Sequence, residues 1–396
     1  MSDQWLPFDK LPAIYEGSGY DNRRGRRDFE YSIPHKIAEF DTPPIETYAV
    51  AAAETAIEVL LSFPNQPAVG GVLESLLLRS EVLNSSKIEG IDVSVRNLAA
   101  AEVGAVSKPS AIEVCQNLKA LRIGLDISAK GKTLTVSQIC DIHRQLMSGK
   151  SFAGKIRQGI VWIGGGDTPA KNPVYVAPPD DRVEDLLSDF CQFWKKDLGN
   201  FIVKLAVAHA QFESIHPFLD GNGRTGRILN QMMFAQAGLP LMPVSACLFA
   251  ARDFYYETFN SYRDGDVSAA VFVHAGAIIS AGEVLLSSMA DSERLKEEWM
   301  SKIKAEANSP GWKQTLGWVM NNPIFSSGTL MQELGLSEEQ ASEYLAKMES
   351  VGIIYLGRKK LPATSEQLWE APEIYDFAQR IEADLRQKAW QYIVRV

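Results

Sequence analysis

Twelve consecutive residues, His216-Pro-Phe-Leu-Asp-Gly-Asn-Gly-Arg-Thr-Gly-Arg227, gather most of the groups that phosphate chemistry needs. Three glycines, Gly221, Gly223 and Gly226, permit backbone turns that aim several N–H groups at one point. The segment then opens a helix, whose N-terminal N–H groups and dipole attract anions. Arg224 and Arg227 are three apart and can share a face of that helix's first turn. Two guanidiniums beside an amide nest suit a polyphosphate. Asp220 adjoins the nest, and a carboxylate faces phosphates favourably only with a cation between them, a place that Mg²⁺ fills. His216 begins the loop, where an imidazole beside an activated phosphate is a natural general base. Each feature alone has a structural explanation. Their concentration in one loop points to a nucleotide site.

A second group lies upstream, Ser85-Ser-Lys-Ile-Glu89-Gly90. Ser85 and Glu89 are four apart, so a helix turns both side chains the same way. Glu89 stands at the helix end, where the dipole does not help a carboxylate and a cationic partner would.

The elements that must position these groups are mostly helical between about 46 and 290. ETYAVAAAETAIEVLLSF has apolar residues at helical spacing and is closed by Pro64. VLESLLLRSEVLNSSKIEG follows the same pattern and ends at Gly90, suited to a left-handed C-terminal cap. Further helices are predicted over about 92–105, 109–128, 136–147, 182–196 and 199–215, with one from near Arg224 to before Gly238. Ile160-Val-Trp-Ile163 and Val174-Tyr-Val176 flank the turn Gly164-Gly-Gly-Asp-Thr-Pro169 and predict an isolated β-hairpin leaning on the helical body. Residues 1–45, with Pro, Gly and the cluster Arg23, Arg24, Arg26 and Arg27, predict an irregular arm whose arginines are solvated.

The loop matches the HPFx(D/E)GNGRxxR signature of Fic-domain proteins without a mismatch, and AHAQFESIHPF before it also resembles that family. The resemblance covers roughly residues 46–290. It implies a mainly α fold, a Fic-type helical bundle with the motif between two central helices and a β-hairpin flap at about 160–177. It also implies an enzyme that moves AMP from ATP to a Ser, Thr or Tyr hydroxyl of a target protein, or of itself, and releases pyrophosphate. In that picture His216 takes the hydroxyl proton and Asp220 holds Mg²⁺ against the α- and β-phosphates. Asn222 and the amides of Gly221 and Gly223 form the anion hole, Arg224 meets the β/γ-phosphates, Arg227 meets the γ-phosphate, and Phe218 anchors the loop. Ile163, Val174, Tyr175 and Val176 would present the target as an added strand. Tyr256 is the expected adenine contact, with core packing an equal alternative; Arg263 stands where some relatives have Asn. Ser85 to Gly90 resembles the family's inhibitory motif (S/T)xxxE(G/N), placed before the core. Pairing of Glu89 with Arg227 would take that arginine from the γ-phosphate. Some relatives use the same Glu to remove AMP from the target, a reverse reaction this sequence leaves open.

Composition bounds these readings. The chain has 396 residues, 46% of them hydrophobic and 22% charged, with a formal net charge of -9. Collagen-like, disordered and coiled-coil classes are excluded, and an acidic chain is a poor non-specific partner for nucleic acid or an anionic membrane. Four scattered cysteines without a CxxC pair argue against zinc or a disulfide framework and fit a reducing compartment. No secretory signal is visible, and the apolar stretch of about Val267 to Gly282 is shorter than the roughly 20 residues of a membrane span. A cytoplasmic location is the expectation. The sequence divides into an N-terminal helical region (1–105), a Fic core (106–290) and a C-terminal region (291–396). The last shows three short helices and a small wing, resembling a winged helix-turn-helix. Residues 301–396 hold 11 Lys and Arg against 12 Asp and Glu, and with Glu338, Glu339 and Glu343 on the would-be recognition helix they favour a protein or dimer contact over DNA. A DNA-binding regulator with a nucleotide-sensing core is the rival reading.

Overall fold

A computed structural model of the chain describes residues 8–15, 27–40, 42–63, 72–131, 133–163, 174–304, 309–362 and 364–395. Two strands open it, β1 (Phe8–Tyr15) and β2 (Arg27–Pro34), paired antiparallel from Phe8↔Pro34 to Tyr15↔Arg27. The irregular arm expected here is therefore a two-stranded ribbon. Alternation of Phe29, Tyr31 and Ile33 with polar neighbours is the period a strand needs, and it outweighs the Pro and Gly content. Of the arginine cluster, Arg23, Arg24 and Arg26 lie outside the described residues, as do Pro64 and the turn 164–173.

Helices follow, α1 (Thr47–Leu61), α2 (Val72–Ile88), α3 (Val95–Glu102), α4 (Pro109–Lys130) and α5 (Val136–Leu146). A minimal hairpin comes next, β3 (Trp162–Ile163) with β4 (Tyr175–Val176). The chain continues through α6 (Asp180–Phe193), α7 (Phe201–Ile215), α8 (Asn222–Gln236), α9 (Val244–Ala250), α10 (Arg252–Arg263) and α11 (Ser268–Ile303). Its last part holds α12 (Pro310–Asn321), β5 (Ile324–Ser326), α13 (Ser327–Leu334), α14 (Glu338–Ser350), β6 (Tyr355–Lys360), β7 (Gln367–Glu370) and α15 (Pro372–Ala389). Strand β5 was not expected. It joins the two wing strands in a sheet of order β5-β7-β6. Helix α11 is far longer than the apolar stretch that predicted it; by length and composition it could cross a membrane, yet 78% of its apolar window is buried, as in a core helix.

The chain forms two compact units. One comprises Met1–Glu58, Ala120–Gln236 and Arg252–Gly276. Its centre is α7, whose residues from Ile202 to Ile215 are almost all buried, because FIVKLAVAHAQFESI is apolar around its whole circumference. Asn200 starts that helix, its side chain accepting from the N–H groups of Ile202 (2.9 Å) and Val203 (3.2 Å). Helix α8 packs along α7 at Gly226, where a Cβ would lie 2.9 Å from Glu213 Oε1 and 3.2 Å from both His209 and Phe212. Thr135 and Gln138 close a reciprocal capping box on α5.

The second unit comprises Val59–Lys119, Ala237–Ala251 and Ala277–Val396. Helix α2 meets α9 through buried Glu81, which accepts from the N–H (3.0 Å) and hydroxyl (2.6 Å) of Ser245. Arg79 of α2 pairs with Glu102 at 2.8 Å and donates to the Asn321 carbonyl at the end of α12. Arg96 of α3 forms a two-pronged pair with Glu370 of β7, both contacts at 2.6 Å. Helix α2 ends at Ile88, and Gly90 adopts φ +80, the left-handed cap the sequence predicts.

Candidate active site

Helix α7 stops at Ile215 because His216 turns left-handed, with φ 49 and ψ 60. A positive φ at a non-glycine residue is uncommon and has to be held by its surroundings. The His216 N–H still donates to Phe212 O at 3.1 Å. Its ring Nδ1 lies 3.2 Å from the Glu213 carbonyl. A carbonyl only accepts, so Nδ1 carries a proton in this contact.

The carbonyls beyond the last turn of a helix need outside donors. Here the donors are residues of the site itself. Glu213 O takes the His216 ring, and Ser214 O takes the Tyr175 hydroxyl at 2.5 Å. The His216 carbonyl takes Arg157 Nε at 2.8 Å, and the Pro217 carbonyl takes the Arg157 amide at 2.9 Å. Arg157 is buried, and its other two nitrogens donate to Gly159 O (3.0 Å) and Pro178 O (2.6 Å). Burial pulls its pKa down, opposed by the hydroxyl of Tyr175 and the carboxylate of Asp180.

The loop after His216 is anchored from beneath. Phe218 is fully buried and stacks on His143 of α5, with ring centroids 3.7 Å apart and planes 6° from parallel. His143 accepts from the Gly154 N–H at Nδ1 (3.0 Å), which leaves Nε2–H to donate to the Asp220 carbonyl (3.0 Å). Burial drives the pKa of His143 down to about 4, so the ring is neutral at physiological pH. Asn222 spans the loop: its Oδ1 accepts from the Phe218 N–H and its Nδ2 donates to the Phe218 carbonyl, each at 2.9 Å. The side chain expected in the anion hole is thus committed to loop geometry, with one N–H and one lone pair beyond those two bonds. Gly221 takes φ +79, and its carbonyl accepts the N–H (3.0 Å) and hydroxyl (2.8 Å) of Thr225 in the first turn of α8.

Both loop arginines are buried to within 2%. Arg224 reaches Asp220 at 3.5 Å. Arg227 donates to the Tyr255 hydroxyl at 3.2 Å, and the same hydroxyl sits 2.7 Å from His209 Nε2. His209 is held neutral by burial first and then by the nearby charges of His274 and Arg227. The Asp220 side chain is 59% exposed at the mouth of the loop. No group of three His, Cys, Asp or Glu side chains converges among the described residues. Asp220 Oδ1 accepts from the Gly221 N–H at 2.6 Å, so one amide expected in the anion hole is spent on that carboxylate; an exposed carboxylate at the mouth of the loop is still a donor that Mg²⁺ takes together with phosphate oxygens and water.

The hairpin divides by exposure. Ile163 and Val174 are exposed, while Tyr175 and Val176 are buried. Two of the four residues expected to meet a target are therefore turned inward; the Tyr175 ring lies under the Arg263 guanidinium at 3.6 Å, and burial pushes its hydroxyl up to about 12. Arg263 itself is half-buried, its guanidinium engaged on that ring. Of the adjacent tyrosines on α10, Tyr255 is buried and Tyr256 is 43% exposed, as their spacing requires. Ser85 is buried within α2, whereas Glu89, one residue past the helix, is exposed.

His143, Arg157 and Tyr255 escaped the sequence reading. His143 left a faint signal, a histidine on the apolar stripe Ile139, Ile142 and Leu146. Arg157 is an isolated arginine 59 residues from the backbone it holds, and nothing in its spacing marks it.

A left-handed histidine, a glycine loop pinned by Phe218 and Asn222, and two buried arginines on the opening turn of a helix meet in one helical unit. Residues 133–234 match the model of the Fic/DOC family, and residues 48–126 match that of the Fic/DOC family N-terminal region. The chain carries a Fic domain preceded by that N-terminal region. It is 26% identical over 200 residues to protein adenylyltransferase fic-1 of Caenorhabditis elegans, covering 46% of this chain and 36% of that one. Against protein adenylyltransferase Fic of Nematostella vectensis it is 29% identical over 141 residues, 35% of this chain and 31% of that one. The chain thus spans about a third of the length of these relatives. In fold it is similar to the crystal structure of a Fic family protein from Desulfovibrio desulfuricans G20, with a TM-score of 0.55 at 21% identity, covering 84% of this chain and 98% of the other.

Proposed function

We propose that this chain transfers AMP from ATP to a Ser, Thr or Tyr hydroxyl of a protein. The observation that carries the reading is His216 held left-handed at the head of the glycine loop, its Nδ1 3.2 Å from Glu213 O, a contact that assigns the general-base role to Nε2. The target oxygen attacks the α-phosphorus, its proton passes to Nε2, and the bond to the bridging oxygen of the β-phosphate breaks, so that pyrophosphate leaves. The loop amide at Gly223, with Arg224 and Arg227, neutralises the phosphate chain. Asp220 is the residue that would hold Mg²⁺, which when bound supplies charge neutralisation at the phosphate oxygens. Ile163 and Val174, exposed on the hairpin, are the side chains placed to meet a target strand. Tyr256 keeps its role as the adenine contact, supported by its exposure beside buried Tyr255.

Glu89 acts as a brake by engaging Arg227, a reading supported by the SSKIEG motif and the placement of Glu89 just beyond α2. The C-terminal elements follow the order helix, strand, helix, helix, strand, strand, which supports a winged-helix reading. Glu338, Glu339 and Glu343 are exposed on α14, which favours a protein partner over DNA.

The test is incubation of wild type, Glu89→Gly and His216→Ala with Mg²⁺ and ATP labelled at the α- or γ-phosphate. Expected is α-label on protein in Glu89→Gly far above wild type, none in His216→Ala, and no γ-label. Equal labelling of wild type and Glu89→Gly refutes the brake, and γ-label refutes AMP transfer.

A further inference from the structure

Arg157 touches neither the loop glycines nor the loop arginines, yet it connects the two halves of the site. Its guanidinium donates to three carbonyls from three parts of the chain: His216 at the end of α7, and the nearby Gly159 and more distant Pro178 at the two feet of the hairpin. Its own amide adds a fourth bond, to Pro217. The charge is placed where a cation is favourable, at the negative end of the α7 dipole. Asp180 braces the same foot, accepting from the Gly159 N–H at 2.7 Å.

We infer that Arg157 is a positioning residue that fixes the hairpin relative to His216, and so sets the distance between the incoming hydroxyl and the base. The inference rests on the proposed transfer reaction. Three acceptors in divergent directions match the planar fork of a guanidinium. A lysine ammonium brings the charge but only one nitrogen, and cannot span them. Nucleotide binding is carried by residues 220–227, which Arg157 does not contact. Its loss therefore lowers turnover and leaves the KM for ATP in place. Hairpin order falls with it, because Val174 N–H to Ile163 O (2.9 Å) and Ala177 N–H to Val161 O (3.0 Å) stand on the feet that Arg157 ties down.

The experiment places Arg157→Lys and Arg157→Gln in the full chain carrying Glu89→Gly. Labelling kinetics and amide hydrogen exchange are both measured, with Asp180→Ala as a milder variant that loosens one foot should Arg157→Gln not fold. Expected for both Arg157 variants is a fall in kcat of at least about tenfold with the KM for ATP within about twofold, and exchange at Val174 and Ala177 faster by about tenfold. Asp180→Ala should speed the same exchange to a lesser degree. Full rescue by lysine, a loss confined to KM, or unchanged hairpin exchange overturns the inference. If no protein labels, the Glu89→Gly parent included, the transfer reading fails instead. Exchange then decides the coupling alone: faster at Val174 and Ala177 supports it, unchanged refutes it.

Discussion

Replacing His143 with phenylalanine keeps a ring against Phe218 and deletes two hydrogen bonds. The Asp220 carbonyl and the Gly154 N–H, each 3.0 Å from the imidazole, lose their partner. At roughly 1–2 kcal/mol for each, the loss at pH 7 is about 2–4 kcal/mol. The pH dependence is sharper than the size. Burial holds His143 at about 4 in the fold, against an ordinary value of about 6.5 in the unfolded chain. Between those values the unfolded chain binds a proton that the native one does not, so this contribution to stability falls as the solution is acidified. By pH 5 it amounts to about 2 kcal/mol against the wild type. The phenylalanine variant has no such term. The gap between the two proteins therefore closes from about 2–4 kcal/mol at pH 7 to about 0–2 kcal/mol at pH 5. His209 and His274 are also held neutral by burial, but they are common to both proteins and cancel in the difference. Urea unfolding followed by tryptophan fluorescence at several pH values between these limits measures the gap. A gap that stays constant with pH refutes the assignment of a buried neutral His143. One below about 0.5 kcal/mol at pH 7 refutes the two hydrogen bonds.

Gly226→Ala should destabilise the Fic domain by about 1–3 kcal/mol and depress labelling, because the new methyl meets Glu213, His209 and Phe212 at 2.9–3.2 Å; thermal unfolding reads the first effect. Arg96→Met should loosen the C-terminal sheet by about 2–4 kcal/mol at neutral pH, since it leaves the fully buried Glu370 carboxylate with only the Tyr355 hydroxyl among its side-chain hydrogen bonds. Burial pushes Glu370 up, and the bonds from Arg96 and Tyr355 outweigh it, leaving a lowered pKa. The stabilisation is therefore full above the ordinary carboxylate range and disappears in acid, and hydrogen exchange in β7 should show the variant converging on wild type there.

The helices around the site were legible because their signals are local. The apolar circumference of α7, the glycine after Ile88 and the loop 216–227 each lie within one turn or one motif of the chain. Strands β1 and β2 are harder to read although Phe29, Tyr31 and Ile33 alternate, because the Pro and Gly content of residues 1–45 obscures that period. Role assignments inside the site depended on direction, which spacing alone could not supply. Asn222 belongs to the loop, but only the structure shows its amide turned back on Phe218. Tyr175 lies in the hairpin, but its hydroxyl closes a helix end 39 residues away. Such long-range closures leave no periodic trace.

The uneven burial of the hairpin separates recognition from assembly. Tyr175 and Val176 are buried, and the Tyr175 hydroxyl is bonded to Ser214 O at the end of α7, whereas Ile163 and Val174 are exposed. Substitutions at the exposed pair alter what is recognised without disturbing the hydrogen bonds that align base and hairpin. Under the proposed transfer reaction, a lineage or an engineer could thus change the target through two side chains, while the bonds that hold His216 stay as they are.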